Sequence, residues 1–328
     1  MILSENRQID VAALHPELPE VSVVVPAYRA AATIEKALAS AVNQGFRSLE
    51  IIVVDDASRD GTADRACHLL QAAGVAHVVV RLEKNAGPSH ARNVGVSFAR
   101  GRYVAFLDAD DVWLADKLAL QTQLMNRHPE VTLCACQMEL FNQAGTRIGQ
   151  LFRDLPTFQV DGWKRLLWNP FVHTSSVMVR RLDLGLRPFD RRLRVAEDRD
   201  LWIRLASNGT VALVQQVLAR KLESPTSFMS SNRTLIASDT RRMINYHVSA
   251  MRQYMTWRER LAVSGSLHSQ IGKGLALQPG RYIGGFLHLL LAIAAGFNVF
   301  DNARFLVLSA PAMRALRPLV RRHPPING

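Results

Sequence analysis

The sequence predicts an α/β fold, a mostly parallel sheet flanked by helices on both faces. Two observations carry this. Short apolar runs recur at residues 21–26 (VSVVVP), 49–54 (LEIIVV), 75–82 and 103–107 (YVAFL), and runs of this length and β-branched content read as strands buried on both faces. Helical patterns separate them, so strand and helix alternate four strands deep within about ninety residues, the order that builds a parallel sheet. A third observation gives the fold a purpose. The second and fourth runs end on acids, Asp55-Asp56 and Asp108, Asp110 and Asp111.

Each element has a local cause. Pro26 ends the first run, and Thr33 is placed to cap a helix whose Ile34, Leu38, Ala41 and Val42 share one face. Residues 57–61 carry turn chemistry, and Thr62 is placed as the next cap. Asn85, Gly87 and Pro88 form a turn, and Ser89 is expected to start a helix running to about Arg100. Beyond the acids a helix is expected over residues 113–127. Strands are expected over 131–140, 173–179 and 211–218, with a helix opening at Leu201. The division is an N-terminal segment (1–20), an α/β domain (21–223) with halves 21–112 and 113–223, and a helical, basic extension (224–328).

Composition narrows the classes. Of 328 residues 48% are apolar, which supports a packed core and excludes a disordered chain. Three cysteines without paired CxxC units exclude a disulfide framework or a zinc site, and Cys134 and Cys136 read as buried strand residues. Residues 1–20 hold Glu5, Arg7, Asp10 and Glu17 and lack the apolar centre of a secretory signal, so a cytoplasmic location is expected. The net charge of +12 points to an anionic partner.

Acids at strand ends are either turn residues or ligands of a hard divalent cation, since several like charges at one spot are costly unless a cation offsets them. Loops after Val25, Val54 and Leu107 leave the same edge of the sheet, where open α/β sheets bind ligands. They bring Tyr28, Asp55, Asp56, Asp108 and Asp110 towards one crevice.

Five segments together resemble family 2 glycosyltransferases of the GT-A Rossmann-like fold: residues 23–28 (VVVPAY), 51–58 (IIVVDDAS) with 60–62 (DGT), 85–95 (NAGPSHARNVG), 106–111 (FLDADD) and 197–198 (ED). The likeness covers about residues 20–220. It implies an inverting transfer of a sugar from a nucleotide-diphosphate donor, most simply a UDP-sugar, assisted by Mn²⁺ or Mg²⁺. Pro26, Ala27, Tyr28 and Asp56, or its neighbour Asp55, would hold the base. Asp108 would contact the ribose and Asp110 the metal. Arg92 would face the donor, or pair with Asp110 or Asp111 instead. Asp198 would be the general base, with Glu197 its rival or a helix-start residue. The chemistry is coherent: a cation offsets charge on the leaving diphosphate, and a carboxylate from a separate segment takes the acceptor proton.

The sequence departs from the family pattern at Arg29, where Asn or Glu is usual, at Ala57, where Gly is common, and at Ala115, where Pro is common. His173 reads as a core histidine, and Trp113, Trp163 and Trp168 as packing residues. A nucleotidyltransferase would need a Gly-rich phosphate loop after the first strand, and residues 26–29 are not one. A nucleic-acid-binding role would need a recognised motif, which is absent, so no nucleic acid is expected as a partner.

Past Ser224 the texture changes. Residues 241–260 form a basic helical pattern. Residues 282–300 are uncharged but diluted by Gly284, Gly285, His288, Gly296 and Asn298, so a packed or interfacial helix is expected rather than a span. With the arginines beyond, this suggests a peripheral enzyme at the inner membrane face, meeting an anionic surface and a glycan or lipid-linked acceptor. Residues 278–282 (QPGRY) resemble the QxxRW motif of processive synthases only by coincidence.

Overall fold

The alternating runs assemble into one eleven-stranded sheet among the described residues, which are 7–12, 18–142, 144–152, 154–223, 233–276 and 282–309 of a computed structural model. The parallel core is β2 (Val21–Ala27), β3 (Leu49–Asp55), β4 (Ala76–Leu82) and β5 (Tyr103–Phe106), side by side in the order β4-β3-β2-β5. These strands are almost wholly buried because helices cover them: α1 (Ile34–Val42), α2 (Thr62–Ala72) and α3 (Pro88–Phe98). Gly95 lets α3 lie close on the sheet, since a Cβ there would stand 2.4 Å from Val24 Cγ1.

The second half is mixed. β10 (Met178–Arg180) runs antiparallel between β5 and β7 (Val131–Phe141). β11 (Thr210–Leu222) lies parallel to β7, and β6 (Val112–Trp113) pairs antiparallel with its end. β8 (Arg147–Leu151) and β9 (Phe158–Gln159) extend the sheet, and α4 (Lys117–Arg127), α5 (Gly162–Trp168), α6 (Arg181–Leu184) and α7 (Glu197–Ala206) complete the unit. Within the N-terminal segment, β1 (Arg7–Ala12) adds to the edge of β4, antiparallel.

Several boundaries differ from the sequence reading, each for a physical reason. The helix expected over 113–127 starts only at Lys117, because Trp113 is paired to Ala219 of β11 and Asp116 has a left-handed φ of 66°. The strand expected over 173–179 keeps only its end. Residues Thr174–Ser176 form a 3₁₀ turn, since Ser176 Oγ donates to His173 O at 2.6 Å and Ser175 N to His173 Nδ1 at 3.4 Å. The expected caps also change. Gly61 and Gly87 precede α2 and α3, Pro88 takes the first helical position, and Ser89 instead donates to Leu193 O.

Residues Met1–Leu166 with Pro170–Pro225 make one compact unit, and Leu167–Asn169 with Thr226–Gly328 a second. The second is helical: α8 (Arg233–Ala250), α9 (Trp257–Ala276), α10 (Tyr282–Ala294) and α11 (Val299–Ser309). The basic pattern of 241–260 therefore belongs to two helices. The uncharged stretch 282–300 is broken by Gly296 at φ 70° and Asn298 at φ 41°. Among the described residues no helix is long and apolar enough to cross a membrane. The linker at 224–225, the motif at 278–281 and the arginines from Arg314 onward lie outside the described residues.

Candidate active site

The loops after β2 and β3 are laced together at one edge of the sheet. Asp56 N donates to Ala27 O at 2.8 Å, Arg29 N to Ser58 Oγ at 2.8 Å and Ala30 N to Thr62 Oγ1 at 2.9 Å. Tyr28 stands exposed with the Arg29 guanidinium 5.1 Å from its ring centroid. Asp55 and Asp56 are buried, which raises both pKa values. They are not idle: Asp55 Oδ1 accepts from Ser58 N at 3.1 Å, and the Asp56 oxygens accept from Ala86 N and Gly87 N at 2.8 Å each. Asp56 thus holds the Asn85–Gly87 turn against the base of the loop.

The acids after β5 meet the 3₁₀ turn. Asp108 N donates to Ser175 Oγ at 3.0 Å, and Ser175 Oγ donates to Asp111 Oδ2 at 2.5 Å. Trp113 Nε1 donates to Ser175 O at 2.7 Å, which fixes the turn from below. Asp108, Asp111 and His173 each bring a ligand atom within 4.8 Å of the other two. Burial, then Asp108, pushes the Asp111 carboxyl up to about 8, and its Oδ1 is buried with no hydrogen-bond partner among the described residues. Burial, then Lys221, holds the His173 imidazole down at about 4, so it is neutral. Asp110 is exposed beside this group, and partial desolvation followed by Asp108 raises its pKa.

Arg92 joins these acids to the Glu-Asp pair. Its Nη2 lies 2.8 Å from Asp108 Oδ1 and its Nη1 2.7 Å from Glu197 Oε1, all three side chains being largely buried. Burial tends to raise the Asp108 pKa, but the Arg92 guanidinium more than offsets it. Burial, then Asp198, pushes Glu197 up to about 7 against the pull of Arg92. Asp198 has different company. Thr174 Oγ1 donates to its Oδ2 at 2.9 Å, and its Oδ1 accepts from Arg199 N at 2.7 Å. Ala196, just before the pair, has φ 63°.

A lysine completes the group. Arg220 is paired with Val112, so the antiparallel register brings Lys221 level with Asp111. Burial works against its charge, but Asp111, Asp108 and Asp110 together raise its pKa, so it is a firm cation at the acids.

The structure therefore gathers Arg92, Asp108, Asp111, Glu197 and Asp198 in one network, with Tyr28, Asp55 and Asp56 in adjoining loops. Arg92 pairs with Asp108 and Glu197 rather than with Asp110 or Asp111. Sequence reasoning missed Thr174, Ser175 and Lys221. The polar Thr-Ser-Ser run inside an apolar stretch was the available sign for the first two. Nothing in a strand end such as residues 219–222 marks Lys221.

A sheet that delivers its carboxylates to one edge, opposite a second acid pair on a helix start, has the form of a GT-A glycosyltransferase. Comparison with known proteins agrees. The family model described as "Glycosyl transferase family 2" matches residues 22–184. The putative teichuronic acid biosynthesis glycosyltransferase TuaG of Bacillus subtilis (strain 168) is 32% identical over 225 residues, covering 68% of this chain and 86% of that protein. The UDP-Glc:alpha-D-GlcNAc-diphosphoundecaprenol beta-1,3-glucosyltransferase WfgD of Escherichia coli is 27% identical over 214 residues, covering 65% and 80%. A solved mannosyltransferase, PcManGT from Pyrobaculum calidifontis in complex with GDP-Man and Mn2+, superposes with a TM-score of 0.59 over 96% of this chain and 87% of that one. At 23% identity that likeness speaks for the fold alone. The chain belongs to glycosyl transferase family 2, and the protein is a glycosyltransferase.

Proposed function

We propose that the enzyme moves a sugar from a UDP-sugar to a hydroxyl of a glycan or lipid-linked acceptor, with inversion, in surface-polysaccharide assembly. The Asp198 carboxylate takes the acceptor proton as the acceptor oxygen bonds to the anomeric carbon. The bond from that carbon to the diphosphate oxygen breaks, and the nucleoside diphosphate leaves. The nucleobase rests on residues 26–28 and on Asp56 or its neighbour Asp55, and the ribose on Asp108.

The observation that carries the reading is the position of Arg92. It occupies the buried Glu197 and one oxygen of Asp108, so of the Glu-Asp pair Asp198 is the carboxylate left for an acceptor. Donor and acceptor classes follow the names of the two relatives, one of which uses UDP-Glc and an undecaprenyl-linked acceptor. An acceptor of that kind would draw the enzyme, as a peripheral protein, to the cytoplasmic face of a membrane.

The residues fit a divalent cation. The buried, unpartnered Asp111 Oδ1 and the neutral His173 nitrogen supply oxygen and nitrogen donors beside the exposed Asp110. Asp110, with Asp111 and His173 beside it, would hold the ion. When bound, Mn²⁺ or Mg²⁺ would offset charge on the departing diphosphate. Lys221 adds a fixed positive charge at the same place, placed to meet a phosphate oxygen.

The test is a screen of nucleotide-sugars with Mn²⁺ by calorimetry and slow hydrolysis. Binding of a UDP-sugar that Asp110→Asn abolishes is expected. If no nucleotide-sugar binds the wild-type protein, the donor site is misassigned.

A further inference from the structure

Among the described residues, helix α10 is apolar on both sides but covered on only one. Gly285, Leu289 and Ala292 are buried, and the covering partner is α9: a Cβ at Gly272 would stand 2.7 Å from Leu289 Cγ. The other face carries Ile283, Leu287, Leu290, Leu291 and Ala294, spaced by four, three, one and three residues, which is one stripe of a helix. These side chains are exposed, Ile283 by 76%, Leu287 by 55% and Leu291 by 51%. Phe300, at the start of α11, is 90% exposed. No charged residue occurs from Tyr282 to Phe300. A helix that is apolar all round is normally buried all round, and contiguous exposed apolar surface marks a contact with something else.

Charge identifies what covers it. Residues 226–328 contain thirteen Lys and Arg against three Asp and Glu, which is +10 of the chain's +12. The first 225 residues are nearly neutral by comparison. A second copy docked on the stripe would bring two strongly cationic units together, which like-charge repulsion opposes. An anionic bilayer offers both an apolar layer and negative charge. Crossing it is excluded by length: thirteen helical residues reach about 20 Å against a hydrocarbon core of about 30 Å. A short apolar face within a basic unit is the make-up of a helix lying in the plane of the interface.

We propose that the Ile283–Leu287–Leu290–Leu291 face of α10 inserts at the headgroup–acyl boundary of an anionic membrane, with the surrounding arginines on the lipid phosphates. The inference gives a surface to the lipid-linked acceptor reading, but its test does not depend on the transfer reaction.

The experiment is co-sedimentation of the full chain with vesicles of phosphatidylglycerol and phosphatidylcholine in equal parts, against phosphatidylcholine alone. Binding to the anionic vesicles is expected, weakening as salt rises. The double variant Leu287→Asn/Leu291→Asn should partition about tenfold or more weaker. Its melting temperature and its UDP-sugar hydrolysis should match the wild type, because both side chains face outward. Equal binding to neutral vesicles, or an unchanged double variant, overturns the proposal. So does a concentration-dependent dimer, seen by sedimentation without lipid, that the double variant abolishes. Vesicle binding without any UDP-sugar binding would sink the donor reading alone and leave this surface standing.

Discussion

Arg92 Nη1 lies 2.7 Å from Glu197 Oε1 across 105 positions of sequence, and both side chains are sealed from solvent. The pair ties α3 to the first turn of α7. A buried charge that loses its partner typically costs 3–5 kcal/mol. Arg92→Met strands Glu197 and Asp108 together, so a stability loss of about that size is expected. Glu197→Gln keeps an acceptor for Arg92 and should be several-fold milder. Chemical denaturation of the two variants checks this ordering, and equal losses would contradict it.

Asp198 and Thr174 give a second prediction. If Asp198 is the base, Asp198→Asn should lower transfer by about 10²–10⁴-fold while donor affinity stays near normal. Thr174 would act through Asp198, to whose Oδ2 it donates a 2.9 Å hydrogen bond. A hydrogen bond to a charged group is worth about 1.5–3 kcal/mol, so Thr174→Val should cut turnover about ten- to a hundredfold. Thr174→Ser keeps the hydroxyl and should restore most of it. A purely structural threonine would show no such rescue in turnover, only in stability.

The proposed metal can be tested at Asp110 and at Lys221, the cation beside the acids. Asp110 is exposed and free to meet an ion, whereas Asp111 is buried beneath Ser175. Asp110→Asn should weaken Mn²⁺ binding in the presence of UDP by about tenfold or more, with the fold unchanged. Lys221→Met should weaken UDP binding, yet tighten the binding of Mn²⁺ alone, because it removes a cation from the same acids. Titration calorimetry of each variant, with and without UDP, separates the two effects.

Much of this site was legible because its first half is local. Buried strands that stop on Asp55-Asp56 and Asp108 write their chemistry into a few adjacent positions, and alternation alone aligns their ends. The second half is different. Ser175, Thr174 and Lys221 reach the acids through long-range packing, and each looks ordinary in its own segment. The 3₁₀ turn at Thr174–Ser176 defeated a strand expectation because side chains bonded to their own backbone won over an apolar run. β1 was missed because an edge strand needs only β4 to pair with, not a buried pattern of its own.

His268 and His288 set a pH dependence in the helical unit. Their Nδ1 atoms are 2.7 Å apart between α9 and α10, so one ring donates to the other. Burial, then the neighbouring Arg241, holds His268 below the ordinary value of 6.5; burial, then His268, does the same to His288. A depressed folded pKa means the neutral form is favoured by folding. The contribution is therefore complete above pH 6.5 and is lost as pH falls below it. Melting followed by circular dichroism from pH 8 to pH 5 should show this decline, and His288→Asn should flatten it. Glu197 and Asp111 titrate in the same window with the opposite sign, so the difference between variant and wild type carries the result, and parallel profiles would refute the coupling.

Two alanines bracket the acids in left-handed backbone, Ala57 at φ 63° after the Asp pair and Ala196 at φ 63° before Glu197. For a residue with a Cβ this conformation costs roughly 1–2 kcal/mol, which glycine largely avoids while giving back about 0.5–1 kcal/mol in chain entropy. Ala57→Gly and Ala196→Gly should therefore each stabilise the protein by a few tenths to about 1 kcal/mol. They should differ in activity. Ala57 lies in a loop already held by the bonds of Ser58 to Asp55 and Arg29, so the glycine should leave turnover unchanged. Ala196 is the residue from which α7 departs, with Asp200 N bonded to its carbonyl. A freer backbone there loosens the direction of Asp198, so Ala196→Gly should gain stability and lose turnover together. Denaturant midpoints set against turnover for the two variants decide this, and a parallel outcome at both positions would show that the strain at Ala196 has no part in aiming the base.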